Sequence, residues 1–209
     1  MADMEQRTEE WFAARCGKVT ASRIADLTAK TKSGYAASRA NYMAQLLTER
    51  LTGEVAESFS SSAMQWGTDT EPKARATYAL LTGNSVAETG FILHPAIANA
   101  GASPDGLVGD TGLIEIKCPN TATHLDTLRT EKIPGKYQKQ MLWQMACTGR
   151  AWCDFVSFDP RLPANLCIFL RRFGRDDDAI AAIEEDVSGF LEELDAQIRA
   201  LEAKYPEAA

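Results

Sequence analysis

Residues 103–119 read SPDGLVGDTGLIEIKCP, and few segments of the chain restrict its fold as much. GLIEIKC has the composition of a short strand. Strand side chains alternate between faces, so Glu115 and Lys117 share one face while Ile114 and Ile116 point to the other, expected to be the core face. Two charges beside apolar neighbours cost desolvation energy unless each has a partner. Asp105 lies ten residues before Glu115, beyond a Ser-Pro turn. The intervening GDTG reverses the chain. A hairpin over this span returns the glutamate to the aspartate.

The surrounding segments supply the rest of an α/β architecture. VAETGFILHP and ANAGASPDG are short runs bounded by Gly, Pro and Asp and read as sheet, as do WCDFVSFD and NLCIFLRRF. Helical patterns cover residues 8–16, 39–52, 63–81 and 134–148. Pro72 inside the third predicts a kink or a break. From about Asp178 to Lys204, Ile180, Ile183, Val187, Phe190, Leu194, Ile198 and Leu201 recur at threes and fours, an amphipathic helix opened by an aspartate cap. Thr20 and Ser22 stand where helix caps precede RIADLTA. KTKSGYAAS (30–38) reads as a basic loop and ESFSSS (57–62) as a polar link. The expected fold is one three-layer domain over residues 1–209, a central mixed sheet flanked by helices.

A net charge of −7 is an objection to a polyanionic partner. Its distribution removes the objection. Residues 175–209 hold 3 basic and 11 acidic side chains, leaving 19 basic and 18 acidic in residues 1–174. Binding answers to the local field, not to the overall pI. The five cysteines show no paired CxxC spacing, which suits reduced, mostly buried thiols and argues against a cysteine-held metal. No stretch approaches the roughly 20 apolar residues of a membrane span. The N-terminus has no apolar signal core, so the cytoplasm is the expected location.

A chemical role for the Asp–Glu–Lys group follows from its composition. Two carboxylates repel at close range, and a divalent cation between them removes the conflict. Oxygen-only ligands suit Mg²⁺, with the Ile116 carbonyl as a further donor. Lys117 beside such a site can orient a water, accept its proton when neutral, or stabilise charge on a phosphorus oxygen. The competing reading is a surface strand with a Glu–Lys pair. In WFAARCGKVTAS, Arg15 offers a planar fork of donors, and Thr20 and Ser22 offer hydroxyls beside a helix start, which together suit a phosphate. Ordinary capping accounts for Ser22 but leaves Arg15 without a role.

The Pro-Asp turn, the ten-residue offset and E-I-K match the PD-(D/E)xK nuclease pattern. Four blocks in order carry a more specific resemblance: W-x3-R-x-G-x-V-T-A-S at Trp11–Ser22, W-G-x3-E-P-x-A-R at Trp66–Arg75, S-P-D-G…E-I-K-C-P at Ser103–Pro119, and Y-x2-Q…T-G at Tyr137–Gly149. With them the chain resembles the YqaJ-like viral recombinase family of lambda-type alkaline exonucleases. That resemblance implies a restriction-endonuclease-like fold and Mg²⁺ (Mn²⁺ substituting), one or two ions per site. It implies 5′→3′ degradation of linear double-stranded DNA to 5′-mononucleotides, leaving 3′ single strands. It implies a homotrimeric ring, a single-strand annealing protein as partner, and a bacterial or phage-infected cell as setting. Glu71 is then the acidic residue completing the metal site, and Arg15, Thr20 and Ser22 hold the terminal 5′-phosphate. Gln140 is the glutamine beside the active site, with Gln138 and Gln144 as neighbouring competitors. Met64 takes the position of an apolar wedge at the duplex end, or is a core residue.

Lys30, Lys32 and Arg39 are candidate DNA-backbone contacts, or simply solvated. His94 before Pro95 reads as structural. The C-terminal helix docks on the core, and its acidic outer face is open to another subunit or protein. Two other functions fit the same residues: a PD-(D/E)xK endonuclease of restriction or repair type, which would cut closed circles, and a non-catalytic DNA-end-binding recombination scaffold.

Overall fold

The structure, a computed structural model, describes residues 4–32, 34–55 and 61–206. Most of the ESFSSS link lies outside the described residues. The first helix, α1 (Glu9–Arg15), opens at Thr8, whose hydroxyl accepts the Trp11 N–H. A short strand β1 (Val19–Thr20), a 3₁₀ turn (Ala21–Arg23) and α2 (Ile24–Leu27) follow. Here the sequence expectation fails. Neither Thr20 nor Arg23 makes a side-chain cap bond, and Ser22 lies inside the 3₁₀ turn. The predicted basic loop is a small hairpin, β2 (Lys30–Thr31) and β3 (Gly34–Tyr35).

α3 (Ala37–Thr52) ends at Gly53 with φ 71°, a left-handed stop that glycine takes without steric cost. α4 (Ser62–Thr82) runs unbroken through Pro72, contrary to the predicted break. A proline costs a helix one N–H donor and crowds the preceding turn. Packing of Thr70, Ala74 and Tyr78 on the sheet holds the helix together across that point.

Seven further strands and three helices complete the chain: β4 (Val86–Ala87), β5 (Ile92–Leu93), β6 (Ala100–Ala102), β7 (Gly106–Val108), β8 (Gly112–Lys117), α5 (Thr121–Thr130), α6 (Gly135–Thr148), β9 (Trp152–Phe158), β10 (Ile168–Gly174) and α7 (Asp177–Lys204). α5, capped by Asn120, had no sequence expectation. The main sheet has the order β10-β9-β8-β7-β4 and is mixed: only β8 and β9 pair in parallel. A second sheet, β1-β6-β5, brings the start of the chain beside the SPDG turn.

Both faces of the main sheet are covered, so both faces of β8 are buried, not one. Ile114 and Ile116 pack with Val156, Ala74 and Tyr78 under α4. Leu113, Cys153 and Phe155 face α6 and α7, where Met141, Met145 and Phe190 close the larger core. α7 docks through Ile180, Ile183, Val187, Phe190, Leu191 and Leu194; Leu201 has left the core and is exposed. All five cysteines are free thiols, but only Cys147 and Cys153 are fully buried.

His94 is structural. Its Nδ1 accepts the N–H groups of Ala96 (3.2 Å) and Ile97 (3.0 Å), its Nε2 meets Glu184 (3.1 Å), and its ring stacks on Trp143. Arg39 is structural too, paired with Glu193 at 2.7 Å and stacked on Tyr35. Lys30 pairs with Asp186 at 3.3 Å, while Lys32 is exposed.

Candidate active site

The site begins with the β7–β8 hairpin. Its register pairs Gly106 with Ile114 and Val108 with Gly112, so Asp105, one residue before β7, falls level with Glu115. Gly106 is needed for packing: a Cβ there would lie 2.2 Å from Val86 Cγ1. The Ile116 N–H donates to Asp105 Oδ2 at 2.6 Å, which fixes the carboxylate at the end of β8.

Glu115 has no exposed surface. Its Oε1 accepts from Gln140 Nε2 at 2.8 Å and from the Lys117 ammonium, and its Oε2 accepts from Gln144 Nε2 at 2.6 Å. Gln140 and Gln144 are one helical turn apart on α6, so one helix face clamps both oxygens. Gln138 turns away, donating to the Ile133 carbonyl at 2.7 Å.

Burial and then the charge of Glu115 push the Asp105 carboxyl well above the usual range. For Lys117, burial acts to lower its pKa, but Glu115 and Asp105 together outweigh it and hold the ammonium above its ordinary value. Lys117 stands here as a hydrogen-bond donor to Glu115.

These groups open into a cleft of about 710 Å³. Asp105, Ile116, Lys117, Gln140 and Glu71 line it, as do Arg15, Thr20, Ser22 and Met64, which also line an adjoining chamber that the first five do not reach. Every expected site residue thus lines the same cleft except Glu115, which is wholly buried and touches two residues that do, Gln140 and Lys117. Glu71 has both oxygens engaged, by Arg7 at 2.6 Å and by Arg75 at 2.7 Å. Arg15 lies 3.8 Å over the Trp11 ring and has no ion pair among the described residues. Burial pushes its pKa below the ordinary value. Met64 is exposed at the rim, at the first turn of α4, and is not a core residue.

The sequence reading did not single out Arg7, Ser103 or Lys136, which also line the cleft. Ser103 accepts the Trp11 Nε1–H at 2.9 Å, tying α1 to the SPDG turn. Its position before Pro-Asp was a usable signal; Arg7 and Lys136 carried none. Among the described residues, no group of three or more His, Cys, Asp or Glu stands ready to hold a metal. The available donors are Asp105, Glu115 and the Ile116 carbonyl, an all-oxygen set with two carboxylates. That is the number Mg²⁺ ordinarily takes from a protein when phosphate and water complete its shell.

A mixed sheet whose hairpin end carries Asp105, Glu115 and Lys117 defines a nuclease of the PD-(D/E)xK class. Residues 10–151 match the YqaJ-like viral recombinase domain, and the chain belongs to that family. A comparison with curated proteins gave no match. Among solved structures, an alkaline exonuclease from Laribacter hongkongensis (LHK-Exo) is 60% identical with a TM-score of 0.89, over 94% of this chain and 97% of that one. The same enzyme in complex with dAMP is 61% identical over the same shares, again with a TM-score of 0.89. A phage-related exonuclease from Haemophilus somnus shares the fold at 18% identity, with a TM-score of 0.72 over 88% of this chain and 96% of that one. Among the described residues, no helix is long and apolar enough to cross a membrane.

Proposed function

We propose that the protein is a Mg²⁺-dependent 5′→3′ exonuclease on linear double-stranded DNA, releasing 5′-mononucleotides. The observation that carries this reading is the shared cleft, which Asp105 and Lys117 line together with Arg15. Asp105, Glu115 and the Ile116 carbonyl would hold Mg²⁺ (Mn²⁺ substituting). When bound, the cation supplies electrophilic polarisation of the phosphodiester. Lys117 donates to the oxygens that gain charge and offsets it. Gln140 and Gln144 keep Glu115 facing the site. Glu71 is the further acidic residue of the metal site, with its two oxygens paired to Arg7 and Arg75 in this state. Arg15, with Thr20 and Ser22, binds the terminal 5′-phosphate and sets the register of the strand, so the chain end selects the substrate. Met64 wedges the duplex at the rim.

The likeness to an alkaline exonuclease solved with dAMP supports the product class. In this reading three copies form a ring around DNA, with the acidic α7 surfaces outward. The 3′ single strand left behind passes to a single-strand annealing protein. The test is a digestion with Mg²⁺ of 5′-phosphorylated linear duplex, the 5′-hydroxyl duplex and a closed circle, with Lys117→Ala as control. Fast loss of the 5′-phosphorylated strand alone is the expected result. Cleavage of the circle would replace this reading with an endonuclease, and binding without Lys117-dependent hydrolysis would leave a scaffold.

A further inference from the structure

We propose that Arg7 is a substrate-binding residue whose guanidinium leaves Glu71 for a backbone phosphate of the DNA strand entering the cleft. The proposal rests on the nuclease reading above but concerns a segment ahead of the one that matches the family, which begins at residue 10.

Arg7 has φ 71°, a left-handed conformation that non-glycine residues rarely adopt. Such a conformation persists only where its surroundings over-determine it. Here they do. Gln6 Nε2 donates to the carbonyls of Thr89 and Pro104, each at 2.8 Å, so the strap before α1 is pinned beside Asp105. Met4 packs closely enough on Gly90 that a Cβ there would lie 2.5 Å from the Met4 carbonyl oxygen. Thr8 then starts α1 at once. The strap brings Gln6 and Arg7 to the cleft wall, and of the two only Arg7 carries a charge.

The pairing that results is uneven. Glu71 is held by two arginines. Arg75 is mostly buried, at 17% side-chain exposure, and also pairs with Glu88. Arg7 is 46% exposed and makes no other ion pair among the described residues. Arg7 is therefore the replaceable partner, since its departure leaves Glu71 still paired. A half-exposed ion pair is weak, and a guanidinium binds phosphate through the same fork that binds carboxylate. Arg7 also lines both the main cleft and an adjoining chamber of about 560 Å³, so it stands on the path between them. Its neighbour Glu71 places it against the reacting strand, while Arg15 serves the terminal phosphate.

The test measures duplex binding without divalent cation, as a function of salt, for wild type, Arg7→Ala and Arg7→Gln, on 5′-phosphate and 5′-hydroxyl ends. Arg7→Gln keeps a donor for Glu71 and removes the charge, so it guards against a folding defect in the alanine variant. One lost phosphate contact is expected to weaken binding about ten-fold at low salt and to reduce the log–log salt slope by about one. The loss should be equal on both end types, whereas Arg15→Ala should act on the 5′-phosphate end. If Arg7→Gln keeps the wild-type affinity and slope, Arg7 only braces Glu71 and the proposal fails. A loss confined to the 5′-phosphate end would also overturn it, by assigning Arg7 to the terminal phosphate. If wild type neither binds nor degrades duplex, the nuclease reading itself falls.

Discussion

Gln144 donates through Nε2 to Glu115 Oε2 at 2.6 Å, with both side chains wholly buried. Its own Oε1 has no partner among the described residues. The fold thus leaves an amide oxygen unsatisfied to keep a donor on the carboxylate. Gln144→Leu keeps the volume and removes the donor. Outer-shell partners of this kind alter metal affinity or activity by about 10–100-fold. The expected result is a matching rise in the Mg²⁺ concentration needed for half-maximal activity. A stability loss of about 1–3 kcal/mol should accompany it, from a carboxylate oxygen left unpaired. Cation titration by calorimetry and thermal melts measure the two separately.

Asp105→Asn should abolish hydrolysis yet raise thermal stability at neutral pH without divalent cation. Burial and Glu115 raise the Asp105 carboxyl well above its ordinary 3.8. Between those two values the folded protein binds the proton more tightly than the unfolded chain. Stability therefore falls as pH rises through that interval, and the penalty is complete above it. Removing the charge recovers about 1 kcal/mol, the usual scale of such a trade between stability and activity. The gain should vanish below about pH 4, and melts across pH decide it.

Asp159 behaves in the opposite sense. Three bonds from Arg161, two from its guanidinium and one from its backbone N–H, with help from Thr121, hold its carboxyl down at about 2. The stabilisation is present above the unfolded value of 3.8 and is lost as pH falls through about 2. The same arginine reaches the Pro119 carbonyl and lies over Trp66, so this group fixes the exit of β8 against α4. Asp159→Asn should lower the melting temperature at pH 7, and the difference from wild type should shrink below the ordinary 3.8 and close below about pH 2.

Cys118 lines the cleft next to Lys117, yet its thiol is pushed up to about 12 by burial and then by the charges of Glu71 and Asp105. Only the thiolate reacts with alkylating agents. At pH 8, iodoacetamide should label Cys118 far more slowly than a free cysteine, as read by mass spectrometry. Fast labelling would mean that the carboxylates do not face it.

The sequence by itself determined the parts whose physics is local. The alternation of GLIEIKC put Glu115 and Lys117 on one face, and the turn-rich span before it returned Asp105 to their level. The periodicity of residues 178–204 predicted α7, because an amphipathic stripe records its own burial. Family motifs brought Arg15, Glu71 and Gln140 to the list of cleft residues, and the tertiary structure alone showed what each touches. It let α4 pass through Pro72, since packing outweighs one lost backbone bond. It replaced the expected caps at Thr20 and Ser22 with a 3₁₀ turn. It set the Lys117 ammonium against the buried Glu115 carboxylate at the cleft wall. It also joined Arg7 to Glu71, 64 residues away, and Gln144 to Glu115 across the α6–sheet interface. Spacing along a chain reports periodic burial. Contacts between distant segments depend on how the layers pack, and no short window of sequence contains that information.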